Sequence, residues 1–73
     1  MEKTLKQIRI DKGYTLKTLS KLSGVSTSYL SSLENGCQTS PSLDIVDKIA
    51  IGFHEDIVYI CHAIKNTPKK TSL

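Results

Sequence analysis

Four glycines divide the sequence into segments that have the length of short helices. Gly13, Gly24, Gly36 and Gly52 each follow a segment in which apolar residues recur three or four positions apart. This spacing predicts a helix with one apolar face. Gly13, Gly24 and Gly36 predict where the first three helices end, and Gly52 precedes the fifth apolar set. The alternation expected of a strand is found in no segment. The glycine pattern therefore predicts an all-α fold.

Local signals at the start of the segments predict five helices. Thr15 and Ser26 are suitable N-caps for the second and third helices, and Pro41 with Ser42 is typical of the start of the fourth. The fifth helix is expected at about residues 55–64. The predicted inward-facing residues are Leu5 and Ile8, Leu19 and Leu22, Leu30 and Leu33, then Leu43, Val46, Ile49, Ala50 and Phe53, and finally Ile57, Ile60, Cys61 and Ile64.

The size of the chain limits it to one domain. It has 73 residues, of which 38 % are hydrophobic, and this is enough for one modest core. Such a core leaves no room for a deep catalytic pocket. We expect the domain to cover residues 1–64, followed by a basic tail over residues 65–73 that we expect to be disordered.

The residues do not indicate a catalytic, metal-dependent or membrane-bound protein. There is no acid–base–nucleophile cluster, so we predict that the chain is not an enzyme. Cys37, His54, Cys61 and His62 lack the spacing of zinc ligands, so neither a metal nor another cofactor is predicted. No apolar run approaches the length of a membrane span, and the N-terminus lacks the apolar stretch of a secretion signal. Because two cysteines without a disulfide framework suit a reducing compartment, we expect a cytoplasmic protein.

Charge is distributed unevenly along the chain, whose net charge is +3. Residues 1–36 contain six Lys and Arg against three Asp and Glu, whereas residues 37–64 contain one against four. An excess of positive charge suits a polyanionic partner. The two halves are therefore expected to present surfaces with different partners.

Residues 16–36 contain the pattern that indicates function. Two short helices meet there at Gly24, which can adopt a positive φ. In the helix after the turn, Leu30 and Leu33 define the inward face, and Ser28 then points outward. The outward face is small, polar and uncharged, whereas an ordinary solvated face carries Lys, Glu or Arg, which form helices better than Ser. Short hydroxyl side chains allow a helix to approach base edges closely.

Five short segments are shared with a known family. They are Ile8-Arg9, Lys12-Gly13, Gly24-Val25, Glu34-Asn35-Gly36 and Pro41-Ser42-Leu43. In these segments, and over about residues 4–57, the chain resembles the Xre/Cro family of helix-turn-helix repressors. The resemblance implies a five-helix, λ-repressor-like DNA-binding domain with a helix-turn-helix. It also implies double-stranded DNA as the partner, with the third helix in the major groove.

The resemblance also implies roles for individual residues. Arg9 and Glu34 correspond to an ion pair that ties the first helix to the end of the third, and its role is structural. The implied base contacts are Thr27, Ser28, Tyr29 and Ser32. The expected phosphate contacts are Thr15, Leu16 and Asn35, supplemented by the nearby cations Lys17 and Lys21. Leu16 departs from the family, in which Gln is common at this position.

The fifth helix contains more apolar residues than one face can hold. Ile57, Val58, Tyr59 and Cys61 are therefore predicted to form a homodimer contact. Pairing at this helix would place two reading helices about one DNA turn apart. The alternative is that Val58 and Tyr59 are scattered surface residues of a monomer that pairs only on DNA.

The predicted function is that of a sequence-specific transcriptional regulator, a repressor that binds an inverted-repeat operator as a dimer. A controller protein of a restriction–modification system and an antitoxin-type autoregulator are alternatives that also bind DNA. A protein-interaction module that uses the helix-turn-helix without DNA is the alternative from another class. A protein antagonist is left open as a further partner.

Overall fold

The computed structural model describes residues 3–38 and 40–68, and in these residues it contains five α-helices and no β-strand. The all-α prediction and the predicted number of helices are confirmed. α4 packs against both α2 and α5, so it connects the helix-turn-helix to the last helix. The helices are α1 (Leu5–Asp11), α2 (Leu16–Ser23), α3 (Thr27–Glu34), α4 (Leu43–Phe53) and α5 (Ile57–Asn66).

Side-chain caps start the helices at the predicted positions. The hydroxyl oxygens of Thr15 and Ser26 accept hydrogen bonds from the N–H groups of Thr18 (3.1 Å) and Tyr29 (3.2 Å). Ser42 caps α4 in the same way. Each cap of this kind contributes about 1 kcal/mol to stability, because it satisfies a backbone N–H that has no partner within the helix.

The core is built from one apolar face of each helix, with Phe53 fully buried in it. Tyr14 lies in the connection between α1 and α2 and stacks on Phe53, with ring centroids 6.1 Å apart and an interplanar angle of 3°. The stack joins this connection to α4. The buried hydrophobic residues are Leu5, Ile8, Leu19, Val25, Leu30, Leu33, Val46, Ile49, Ala50, Phe53, Ile60 and Ala63.

Two of the predicted inward-facing residues are wrong. Leu22 is 47 % exposed and Leu43 is 70 % exposed, whereas Ser23 is 8 % exposed. Leu22 is exposed because α4 approaches the end of α2 at Ser23, which turns Leu22 away from the core. Gly52 lies inside α4, and the helix is capped by His54, whose backbone is left-handed with a φ of 57°. Leu43 is in the first turn of α4, beyond the edge of the core.

α5 begins at Ile57 and extends to Asn66, two residues beyond its predicted end. Two hydrogen bonds hold its last turn. The Asn66 amide donates to the Lys3 carbonyl (3.3 Å), and the buried Thr67 hydroxyl donates to the Ala63 carbonyl (3.1 Å). Residues 65–67 are therefore part of the folded domain, whereas residues 69–73 of the predicted tail lie outside the described residues.

Candidate nucleic-acid interface

Residues 24–26 connect α2 to α3 and form the turn of the helix-turn-helix. Gly24 ends α2 in the left-handed conformation, with a φ of 79°, and its N–H donates to the Ser20 carbonyl (2.8 Å). Val25 is 4 % exposed, and its N–H donates to the Ser23 hydroxyl (3.2 Å). Because Val25 is buried and the turn is closed by two hydrogen bonds, α3 leaves α2 in a defined direction.

α3 exposes hydroxyl groups in its first turn. Leu30 and Leu33 are buried, whereas Thr27 and Ser28 are exposed. The N-terminal end of this helix is the end that contacts base edges in helix-turn-helix proteins. A hydroxyl group can both donate and accept a hydrogen bond, so this pair can read either kind of group on a base edge.

Tyr29 and Ser32, which were also predicted as base contacts, are only half-exposed. Tyr29 packs against the core. Ser32 lies beside the chain that follows α3, because its carbonyl accepts hydrogen bonds from the N–H groups of Cys37 (2.9 Å) and Gln38 (3.1 Å). Among the four predicted base contacts, the accessible groups are therefore concentrated at Thr27 and Ser28.

The N-terminus of α2 supplies a second set of donors. The N–H groups of Leu16 and Lys17 occupy its first two positions, where no acceptor exists within the helix. The oxygens of the Thr15 and Thr18 hydroxyls lie 3.0 Å apart and share one hydrogen bond, so the other hydroxyl proton is free for an external acceptor. The Leu16 side chain packs against the core, so only its backbone N–H is available for a phosphate contact.

Lys17 and Lys21 lie one turn apart on the exposed side of α2. Neither forms an ion pair with any residue in the part of the chain that the structure describes. Lys12 differs, because its ammonium group lies 3.0 Å from the Glu55 carboxylate. Lys17 and Lys21 therefore place positive charge, without an ion-pair partner among residues 3–38 and 40–68, next to the donors at the start of α2.

Asn35 lies at the C-terminal end of α3 and is exposed. Its side-chain amide donates to the Ser31 hydroxyl (3.3 Å), which restricts the rotation of the amide. Gly36 follows with a φ of 77°, and the chain turns away from the helix there. Asn35 is thus placed at the opposite end of α3 from Thr27 and Ser28.

A buried ion pair ties α1 to the end of α3. Arg9 donates from Nε to Glu34 Oε2 (2.6 Å) and from Nη2 to Glu34 Oε1 (3.0 Å), and its Nη1 donates to the Tyr14 carbonyl (2.8 Å). The side chains of Arg9 and Glu34 are 12 % and 4 % exposed. The hydrogen bond to Glu34 raises the pKa of Arg9 above its ordinary value. The pair holds the last turn of α3 against the rest of the domain.

The described residues contain no candidate metal site and no helix that could span a membrane. Within residues 3–38 and 40–68, no three His, Cys, Asp or Glu side chains are grouped so that they could hold a metal ion. Cys37 is exposed and Cys61 is half-buried, and both thiols are free. Every helix in the described part of the chain is too short or too polar to cross a membrane.

The family is decided by a match to a family model. The model is described as helix-turn-helix, and it matches residues 5–60, which include α1 to α4 and the start of α5. The chain belongs to the Xre/Cro-like helix-turn-helix family. The match agrees with the resemblance inferred from the sequence, and in this helix-turn-helix family α2 and α3 are the two helices of the motif.

The helix-turn-helix chain is also similar to curated proteins. The HTH-type transcriptional regulator SinR of Bacillus subtilis (strain 168) and that of Bacillus licheniformis are each 46 % identical to it over 46 residues, which are 63 % of this chain and 41 % of each relative. The HTH-type transcriptional regulator SlrR of Bacillus subtilis (strain 168) is 46 % identical over 39 residues, which are 53 % of this chain and 26 % of the relative. The chain therefore spans less than half the length of these relatives. No solved structure matches it significantly.

Two residues behind the motif were missed by the sequence reasoning. Ser23 closes the turn through its hydroxyl group, and Gly52 of α4 lies directly against it. A glycine within the apolar pattern of a helix is unfavourable by itself, so it often indicates a close contact. Gly52 carried that signal, because it lies between Ala50 and Phe53 of the predicted inward face.

Proposed function

We propose that the chain is a sequence-specific, double-stranded DNA-binding transcriptional regulator that acts in the cytoplasm as a repressor. One observation carries the proposal. The first turn of α3 exposes two hydroxyl groups, Thr27 and Ser28, directly after a hydrogen-bonded turn. The names of SinR and SlrR, both transcriptional regulators, support the same class of function.

In the proposed complex, the N-terminal end of α3 enters the major groove, and Thr27 and Ser28 contact base edges. Tyr29 and Ser32 contribute contacts at the edges of this region, because they are half-exposed. The proposed phosphate contacts are the Thr15 hydroxyl, the N–H groups of Leu16 and Lys17, the ammonium groups of Lys17 and Lys21, and the Asn35 amide.

The proposed regulator binds as a homodimer through α5. Val58 is 59 % exposed and Tyr59 is 41 % exposed, which supports an apolar contact at this helix. Two-fold pairing predicts an inverted-repeat operator with half-site centres about 10 base pairs apart. Repression then follows from occupancy, because the bound dimer covers promoter DNA that the polymerase needs.

Selection from a pool of random duplexes, followed by gel-shift titration of the selected site, tests the proposal. We expect one preferred sequence, and affinity that falls with salt with a log–log slope of about −4 to −8 per dimer. The slope reflects counterions released when lysines and N–H donors contact phosphates. Equal affinity for all sequences would contradict sequence-specific recognition, and a slope near zero would favour the protein-interaction module.

Ser28→Ala and Lys21→Gln separate sequence reading from general affinity. We expect Ser28→Ala to weaken binding to the selected site by about 1–3 kcal/mol and to relax the preference at one base pair. We expect Lys21→Gln to weaken binding to every sequence alike and to reduce the salt slope by about one per subunit.

The matched control for Lys21→Gln is Lys48→Gln, since Lys48 lies on α4 and pairs with Asp44. We expect the control to leave the slope unchanged. If Ser28→Ala keeps both the affinity and the base preference of the wild type, the reading face lies elsewhere on the domain.

A further inference from the structure

α4 touches α2 most closely where Gly52 meets Ser23. A Cβ atom built on Gly52 would lie 3.0 Å from the Ser23 Cβ, 3.1 Å from its backbone N and 3.2 Å from its Cα. These distances are shorter than ordinary van der Waals contact, and two of the three atoms are backbone. Any side chain at position 52 would therefore push the end of α2 away by a few tenths of an ångström.

Gly52 differs from the glycine of the turn. Gly24 has a φ of 79°, and a Cβ built on it would meet no atom within 4 Å, so glycine is required there by the backbone conformation alone. Gly52 lies in the helix, where alanine is intrinsically more favourable than glycine. The contact with Ser23 gives the physical reason for a glycine at this helical position.

Ser23 is also the residue that closes the turn. Its hydroxyl accepts the hydrogen bond from the Val25 N–H (3.2 Å), and its side chain is buried. Ser26 then caps α3, and Thr27 and Ser28 follow. Only three residues therefore separate Ser23 from the exposed hydroxyl groups of α3, so we expect a displacement of Ser23 to shift them.

We propose that Gly52 and Ser23 are positioning residues for the reading helix: their contact sets the direction in which α3 leaves α2, and with it the discrimination between DNA sequences. The inference rests on the proposed role of α3 in reading DNA. A hydrogen bond to a base edge tolerates donor–acceptor distances only between about 2.7 and 3.2 Å. A shift of a few tenths of an ångström is as large as that range.

Gly52→Ala tests the positioning role. We expect its affinity for the site selected by the wild type to fall by about tenfold, the loss typical of one mismatched base pair, while its affinity for random duplexes stays the same. We expect little change in Tm, because the gain in helix propensity opposes the crowding. In the free protein, NMR amide shifts should change from Ser23 to Ser28, since that segment carries the displacement.

Ser23→Ala is the second variant, and it keeps Gly52 and the contact but removes the hydrogen bond to Val25. We expect the same loss of discrimination. Ile60→Val is the matched control, because it removes one buried methylene group from α5 and lowers Tm without touching the turn. We expect this control to discriminate between sequences as well as the wild type does.

The outcomes distinguish the positioning role of Gly52 and Ser23 from the proposed DNA-binding function. If Gly52→Ala and Ser23→Ala discriminate as well as the wild type, or if Ile60→Val loses as much discrimination as they do, the positioning role is wrong while the DNA-binding function stands. If the wild type itself selects no sequence, the proposed function is wrong and the positioning role falls with it. Loss of discrimination in the two turn variants alone supports the positioning role.

Discussion

Glu34→Gln is expected to lower the free energy of unfolding by about 3 kcal/mol, because it leaves the Arg9 guanidinium buried without an opposite charge. In the wild type, the two side chains are 12 % and 4 % exposed and are joined by two hydrogen bonds. In a domain of this size the loss corresponds to a fall in Tm of about 15 °C. Thermal unfolding followed by circular dichroism measures it.

Two comparison variants isolate the effect of the buried charge. Arg9→Met combined with Glu34→Leu removes both charges, so we expect it to recover most of the lost stability. Asp44→Asn breaks the exposed pair with Lys48, whose N–O distance is 3.5 Å, and we expect a loss below about 1 kcal/mol. If Glu34→Gln is as stable as Asp44→Asn, the pair contributes no more than an exposed one.

Tyr59→Glu and Val58→Glu are expected to prevent dimer formation and to lower operator affinity by about 30-fold, which corresponds to about 2 kcal/mol. Both side chains are exposed on α5, and a carboxylate there would lose its hydration in the apolar contact without gaining a partner. Ile57 and Cys61 are half-buried against the core, so they contribute only their outer edges. Sedimentation at micromolar concentration and operator titration measure the two effects.

The control for this contact is Ile51→Glu. Ile51 is 62 % exposed on α4 and lies outside the proposed contact, so we expect the variant to form dimers and bind the operator as the wild type does. A monomeric wild type whose operator affinity equals that of Tyr59→Glu would contradict a dimer through α5.

The starts of the helices and the turn of the motif were predictable because they depend on neighbours in the sequence. A cap such as Thr15 or Ser26 bonds an N–H three residues away, so the sequence alone predicts it. The left-handed backbone of Gly24 is a property of the turn itself. Ser28 was predicted to face outward because its angle from Leu30 and Leu33 is set by the period of the helix.

The accessibility of the candidate site was predicted less well. On a helical wheel Ser32 lies on the outward face of α3, but residues 37–38 pass beside it. Tyr29 flanks that face on the wheel, and in the structure it packs against the core. Leu16 has only its backbone N–H available for a phosphate contact, because its side chain packs against the core. Partial burial depends on what packs against a helix from elsewhere in the chain, and one segment does not contain that information.

By itself, the sequence determined the five helices, the helix-turn-helix and the exposed hydroxyl groups at the start of α3, because each of these follows from interactions within a few residues. Only the tertiary structure decided that Ser23 faces the core in place of Leu22, and that Gly52 is the residue at which α4 contacts Ser23. Adjacent residues of a helix differ by about 100° in direction. The rotation of α2 about its own axis decides whether Leu22 or Ser23 faces the core. That rotation is set by the helix packed alongside, which here is α4.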